Sequence, residues 1–119
     1  MNSLRQPLDL TVTPQACVAR FRKAQVLDQA TLDACRAQLD ESLVRTRPPR
    51  LILDMSELTS VSSAALGWLV LLSNARQKLG VELTLCGLSP LVQQVFEMTR
   101  LSPRFHITGD VATALGQDG

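Results

Sequence analysis

Apolar and polar residues alternate near the start of the chain. From Asp9 to Thr13 and again from Ala16 to Lys23 the period is two, with Cys17, Ala19 and Phe21 on one side and Val18, Arg20 and Arg22 on the other. Two strands joined at Pro14-Gln15 follow as a hairpin. Residues 1–8, polar and carrying Pro7, read as a loose end. The period then lengthens. Leu32, Cys35, Leu39 and Leu43 recur at three- and four-residue steps, which marks an amphipathic helix capped by Asp28 or Thr31 and running to about Val44.

Arg50 to Asp54 is a nearly continuous apolar run, as a central strand covered on both faces requires. Ser62-Ser63 then opens an apolar helix that reaches about Leu79 and stops at Gly80, which tolerates the left-handed conformation that ends helices. Val81 to Cys86 is the next strand. Ser89-Pro90 starts another helix, because serine caps and proline suits the first helical position; Leu91, Val92, Val95 and Phe96 are its expected buried face. Arg104 to Ile107 reads as a short last strand, and Asp110 can cap a final turn from Val111 to Leu115. No internal repeat or low-complexity tract interrupts the series. Strands alternating with helices after a hairpin predict an α/β class protein: one domain over residues 1–119, with a mixed, largely parallel sheet of four or five strands and helices packed against it. In such sheets functional loops gather beyond the carboxyl ends of the parallel strands, which singles out 54–63 and the turn around 86–89.

Composition narrows the function. With 45% apolar residues, 19% charged residues and a net charge of +1, the chain has no electrostatic footprint for nucleic acid or an anionic membrane surface. Arg45, Arg47 and Arg50 flank Pro48-Pro49 and read as a solvated loop. The amino terminus has no apolar run of signal-peptide length, and the longest apolar stretch, Ala64 to Leu72, is less than half a membrane span, so a soluble cytoplasmic protein without direct membrane insertion is expected. Cys17, Cys35 and Cys86 lack short paired spacing and read as small core residues, with neither disulfide nor metal site. There is no glycine-rich phosphate loop, no Gly-x-Ser-x-Gly elbow and no histidine placed to activate a serine; His106, the single histidine, reads as a hydrogen-bonded structural residue. No catalytic residue and no cofactor are expected. Binding is the better reading.

The candidate binding chemistry lies at the junction of strand and helix. A helix start leaves backbone N–H groups unpaired and carries partial positive charge, so a hydroxyl there can cap the helix or carry a phosphate. Ser62 and Ser63 occupy that position. Among the loop acids Asp28, Asp54 and Glu57, Asp54 is expected to make a local turn toward Ser56 and Asp28 to cap the first helix. The Ser-Ser helix is apolar nearly all round, from Leu66 through Trp68, Leu69, Val70 and Leu71 to Leu72. One sheet cannot cover both stripes, so at least one of Trp68, Leu71 and Leu72 should be accessible, and an exposed Trp68 would make a binding anchor.

The same stretch resembles a known family. In bacterial anti-sigma-factor antagonists, founding members of the STAS domain family, an apolar strand ends in Asp-Leu-Ser and is followed by a signature close to Asp-Ser-Ser-Gly-Leu-Gly. Here the strand ends in Asp54-Met55-Ser56 and the signature reads Ser62-Ser63-Ala64-Ala65-Leu66-Gly67. The resemblance extends upstream to Leu27-Asp28-x-x-Thr31 and downstream to Gly80-Val81-Glu82-Leu83-Thr84-Leu85, Ser89-Pro90 and Thr99-Arg100-Leu101, covering roughly Cys17 to Leu115. Ser62 stands where an acidic residue is usual and Ala65 where glycine is usual. The resemblance implies a STAS-like fold and an anti-sigma-factor antagonist that works by partner switching. It places the phosphoacceptor at Ser63 and a partner-binding loop at Asp28, Asp54, Ser56, Glu57, Thr59 and Ser62, while the helical spacing above adds a partner-binding helix face at Trp68, Leu71 and Leu72. The implied partners are an anti-sigma factor with serine kinase activity, which would hold ATP and Mg²⁺ itself, and a serine phosphatase. Similar domains serve as subunits of bacterial lipid-transport ABC complexes and as stressosome-type scaffolds, and both remain alternatives here.

Overall fold

A computed structural model describes residues 7–22 and 28–116. The expected strand at Lys23 and the Leu27 of the resemblance fall outside them. Five strands form one sheet in the order β1-β2-β3-β4-β5: β1 (Leu8–Val12), β2 (Cys17–Phe21), β3 (Arg50–Asp54), β4 (Glu82–Cys86) and β5 (His106–Thr108). β1 runs antiparallel to β2, with Leu8 opposite Phe21 and Val12 opposite Cys17. The remaining neighbours are parallel. The hairpin closes at Thr13, whose N–H donates to the Ala16 carbonyl at 2.8 Å.

Each parallel step is bridged by a helix: α1 (Gln29–Thr46), α2 (Ser63–Lys78) and α3 (Pro90–Met98). Parallel neighbours joined in sequence by crossovers of one hand put these helices on one face. There Leu32, Cys35 and Leu39 of α1, Trp68, Leu69 and Leu72 of α2, and Val92 and Phe96 of α3 join Cys17, Ala19, Leu51, Leu53 and Leu85 in the main core. The opposite face carries a smaller cluster of Ala16, Ile52, Cys86 and Ala114, where α4 (Val111–Gly116) covers the centre of the sheet. β3 is buried at all five positions, as a strand covered on both faces must be. The three cysteines are free and buried, and burial pushes the Cys35 and Cys86 thiols up to about 12.

The caps fall where local sequence puts them. Asp28, Ser62 and Ser89 each accept from the N–H three residues on, at Thr31, Ala65 and Val92. Asp110 does the same for Thr113 at 2.7 Å. α1 runs two residues past Val44, to Thr46, and Arg47 then takes a left-handed conformation ahead of Pro48.

Four expectations are corrected. Leu8 is not loose: it pairs in β1, is 1% exposed, and exchanges hydrogen bonds with the Gln38 side chain. Arg50 begins β3, as the strand reading has it, but is not solvated: at 8% exposure it reaches Glu82 at 3.1 Å and the Ala114 carbonyl at 2.9 Å. Leu91 is exposed, because α3 turns Val92 and Phe96 to the sheet and its neighbouring stripe outward. The last strand begins at His106, since Ser102–Arg104 forms a 3-10 turn around Pro103, which has no N–H to give a ladder.

Candidate functional site

The carboxyl ends of β2, β3 and β4 share one pole of the domain, and the segments that leave them carry the candidate residues. Asp54 closes β3. Its Oδ1 accepts from the Ser56 N–H at 3.0 Å, closing a local turn, while its Oδ2 takes the Arg20 Nε at 2.9 Å. Burial alone would raise this carboxyl; the hydrogen bonds from Ser56 and the Arg20 guanidinium outweigh it and hold the group below the ordinary carboxylate range. Asp54 is 5% exposed, so it supports the loop from beneath rather than presenting itself to a partner.

Gly87 supports the same turn from β4. It has φ +73°, and a side-chain carbon there would lie 3.0 Å from the Ser56 Cβ and 3.1 Å from Asp54 Oδ1. Glycine satisfies both demands at once. The Met55 N–H donates to the Cys86 carbonyl at 2.9 Å, and Met55 and Leu58 tuck inward. Ser56, Glu57 and Thr59 are left exposed between these anchors. Asp28 is exposed at the start of α1, with its carboxyl held low by hydrogen bonds from Thr31.

At the start of α2 the two serines divide the work. Ser62 has extended backbone geometry (φ −91°, ψ 167°); its hydroxyl accepts from the Ala65 N–H at 3.1 Å, and its carbonyl takes the Leu66 N–H at 3.0 Å. Ser62 is therefore the cap. Serine and aspartate cap about equally well, so the substitution of the usual acid preserves the helix start. Ser63 is the first helical residue and is exposed, with its side chain unbonded among the described residues.

On the helix face beyond it one of the three expected residues is accessible, and the other two are corrected. Trp68 is only 6% exposed and packs edge-on to Phe21 at 6.1 Å, and Leu72 is fully buried, because both point at the sheet and α1. Neither is an accessible anchor. Leu71 is accessible, at 64% exposure. Ser63, Gly67 and Leu71 are spaced by four and form one outward stripe. A side-chain carbon added at Gly67 would meet no neighbouring atom within 4 Å, so packing of this domain does not demand glycine there.

Sequence reasoning missed Arg20 and Gly87. Gly87 had a local signal, a glycine directly after a strand. Arg20 had none, since its pairing depends on a register 34 residues away. Among the described residues no cluster of metal-ligating side chains occurs, and no helix is long and apolar enough to cross a membrane.

The STAS domain family model matches residues 7–114, and the chain belongs to that family. Among solved structures, a Moorella thermoacetica RsbS variant aligns with a TM-score of 0.76 at 20% identity, covering 93% of this chain and 92% of its own. The anti-sigma factor antagonist SpoIIAA in its unphosphorylated form gives 0.75 at 20% identity, over 93% and 95% of the two chains. The phosphorylated form of the Bacillus cell fate determinant SpoIIAA gives 0.69 at 18%, over 94% and 99%.

Proposed function

We propose that this domain is an anti-sigma-factor antagonist: a non-enzymatic, cytoplasmic binding protein whose association with an anti-sigma factor is switched by phosphorylation of Ser63. The observation that carries the reading is the outward stripe of α2, on which an exposed hydroxyl, an unforced glycine and an exposed leucine follow at one-turn intervals. Glycine inside a helix costs roughly 1 kcal/mol relative to alanine, and here no contact of the described residues recovers that cost. Close approach of another chain at Gly67 would recover it. Unmodified Ser63 then lies inside the contact, one turn from Gly67, with the Ser56–Thr59 loop beside it.

Phosphorylation would add about 1.5 to 2 negative charges and three acceptors at this point. The start of α2 tolerates them, because its first amides and the helix dipole favour an anion. A partner surface packed on Gly67 does not. Binding is lost while the domain stays folded, in keeping with a structural likeness that spans both the phosphorylated and unphosphorylated forms of SpoIIAA. The kinase would be the anti-sigma factor itself, with its own ATP and Mg²⁺, and a serine phosphatase would restore the binding form.

Affinity capture from native cells with Ser63→Ala and Ser63→Glu baits tests this reading. The expected result is a kinase-type ATPase enriched on Ser63→Ala and lost on Ser63→Glu. Capture of a transporter ATPase with its permease, or of scaffold relatives, by both baits alike would replace it with the transport or stressosome role.

A further inference from the structure

At the pole opposite Ser63, where β3 and β4 begin, the ends of α1 and α2 and the Pro48-Pro49 segment enclose an open groove of about 320 Å³. Its walls are mostly apolar: Leu43 and Val44 from α1, the two prolines, and Leu79 and Val81 from the turn into β4. Val44 is 67% exposed and Leu79 64% exposed, which places two of the most exposed aliphatic side chains of the described residues in one concavity. Scattered exposed aliphatics need no explanation, but a lined concavity of this kind marks a contact site.

The charge around it is one-sided. Arg47 is the only charged lining residue and has no ion-pair partner among the described residues, as is also true of Lys78, which precedes Leu79. Arg45 meets Glu41 only at 3.8 Å, with both side chains at least 70% exposed. The nearby acid Glu82 is already taken by Arg50 at 3.1 Å. On a chain whose net charge is only +1, two unpaired cations beside an apolar groove define a complementary occupant.

We infer that this groove is a second docking site, for an amphipathic segment of a partner protein that presents leucine-like side chains flanked by carboxylates. The apolar side chains fill the space between Val44 and Leu79, and the carboxylates meet Arg47 and Lys78. Guanidinium and carboxylate match in a paired geometry, so Arg47 fixes the register of the segment. The site lies at the far end of the sheet from Ser63, so its occupancy is independent of phosphorylation, and a domain that switches partners at one pole stays tethered at the other.

The probe is a short end-capped helical peptide with a leucine face and glutamate flanks, titrated into the isotope-labelled full chain and followed by amide chemical shifts. Shifts are expected at 43–49 and 79–81, with affinity reduced at least tenfold by Leu79→Ser and by Arg47→Glu and unchanged by Ser63→Glu and Leu71→Ser. A peptide with lysine in place of every glutamate should bind at least tenfold more weakly. Absence of shifts in the groove, equal binding of the two peptides, or shifts centred on the start of α2 would each overturn the inference. Failure here leaves the Ser63 reading untouched, since no residue is shared.

Discussion

Ser62 and Ser63 are adjacent hydroxyls with different physical jobs, and single substitutions separate them. Ser62→Ala removes the acceptor for the Ala65 N–H and should lower stability by about 1 kcal/mol, whereas Ser62→Asp keeps a cap and should leave the denaturation midpoint nearly unchanged. Ser63→Ala, which removes no hydrogen bond of the described residues, should be close to neutral. Asp54 gives a pH signature. Its folded pKa lies below the unfolded value of about 3.9, so its contribution is fully present above that value and is lost as pH falls through the lower folded one. Urea midpoints measured from pH 6 down to pH 3 should therefore fall on the acid side, and Asp54→Asn should flatten that limb; an unchanged limb would mean that the Ser56 and Arg20 contacts do not hold the carboxylate in solution.

α2 separates what packing needs from what binding needs. Trp68→Ala empties a core position and should cost about 3–5 kcal/mol. Gly67→Ala should do the reverse, raising stability by about 0.5–1 kcal/mol while weakening partner binding, because the added methyl projects only toward solvent in the free domain. Stabilisation with undiminished affinity would show that no chain approaches Gly67. The start and stop of this helix were readable because Ser62, Ser63 and Gly80 act on amides only a few residues away. Which of its two apolar stripes would be buried was not readable, because helical spacing alone does not say which stripe meets the sheet; the same ambiguity assigned Leu91 of α3 to the core. The hairpin strands were legible from alternation and β3 from its continuous apolar run, whereas the Arg20–Asp54 pair depends on register between strands far apart in sequence.

Across the whole molecule, α1 and α2 are clasped by a buried arginine that no sequence pattern announced. Arg76 is 3% exposed; its Nη2 meets Asp40 at 3.2 Å, while its Nε and Nη1 have no partner among the described residues. Burial pushes the guanidinium pKa down, against the attraction of Asp40. Asp40→Ala leaves that charge unpaired and should destabilise toward the lower end of the roughly 3–5 kcal/mol typical of broken buried pairs, since Asp40 is itself 45% exposed. Arg76→Met should be neutral or stabilising by the same reasoning, and thermal denaturation of the two variants checks both signs. The clasp joins α1 to the helix that carries Ser63 at its start and leads into Leu79 of the groove at its end.

The proposed switch requires that Ser63, and not its capping neighbour, receive the phosphate that ends partner binding. Phosphopeptide mapping after incubation with the anti-sigma kinase and Mg²⁺-ATP tests it most directly. Label should appear on Ser63 and vanish in Ser63→Ala while persisting in Ser62→Asp; label on Ser62, or none on the intact protein, would contradict the account.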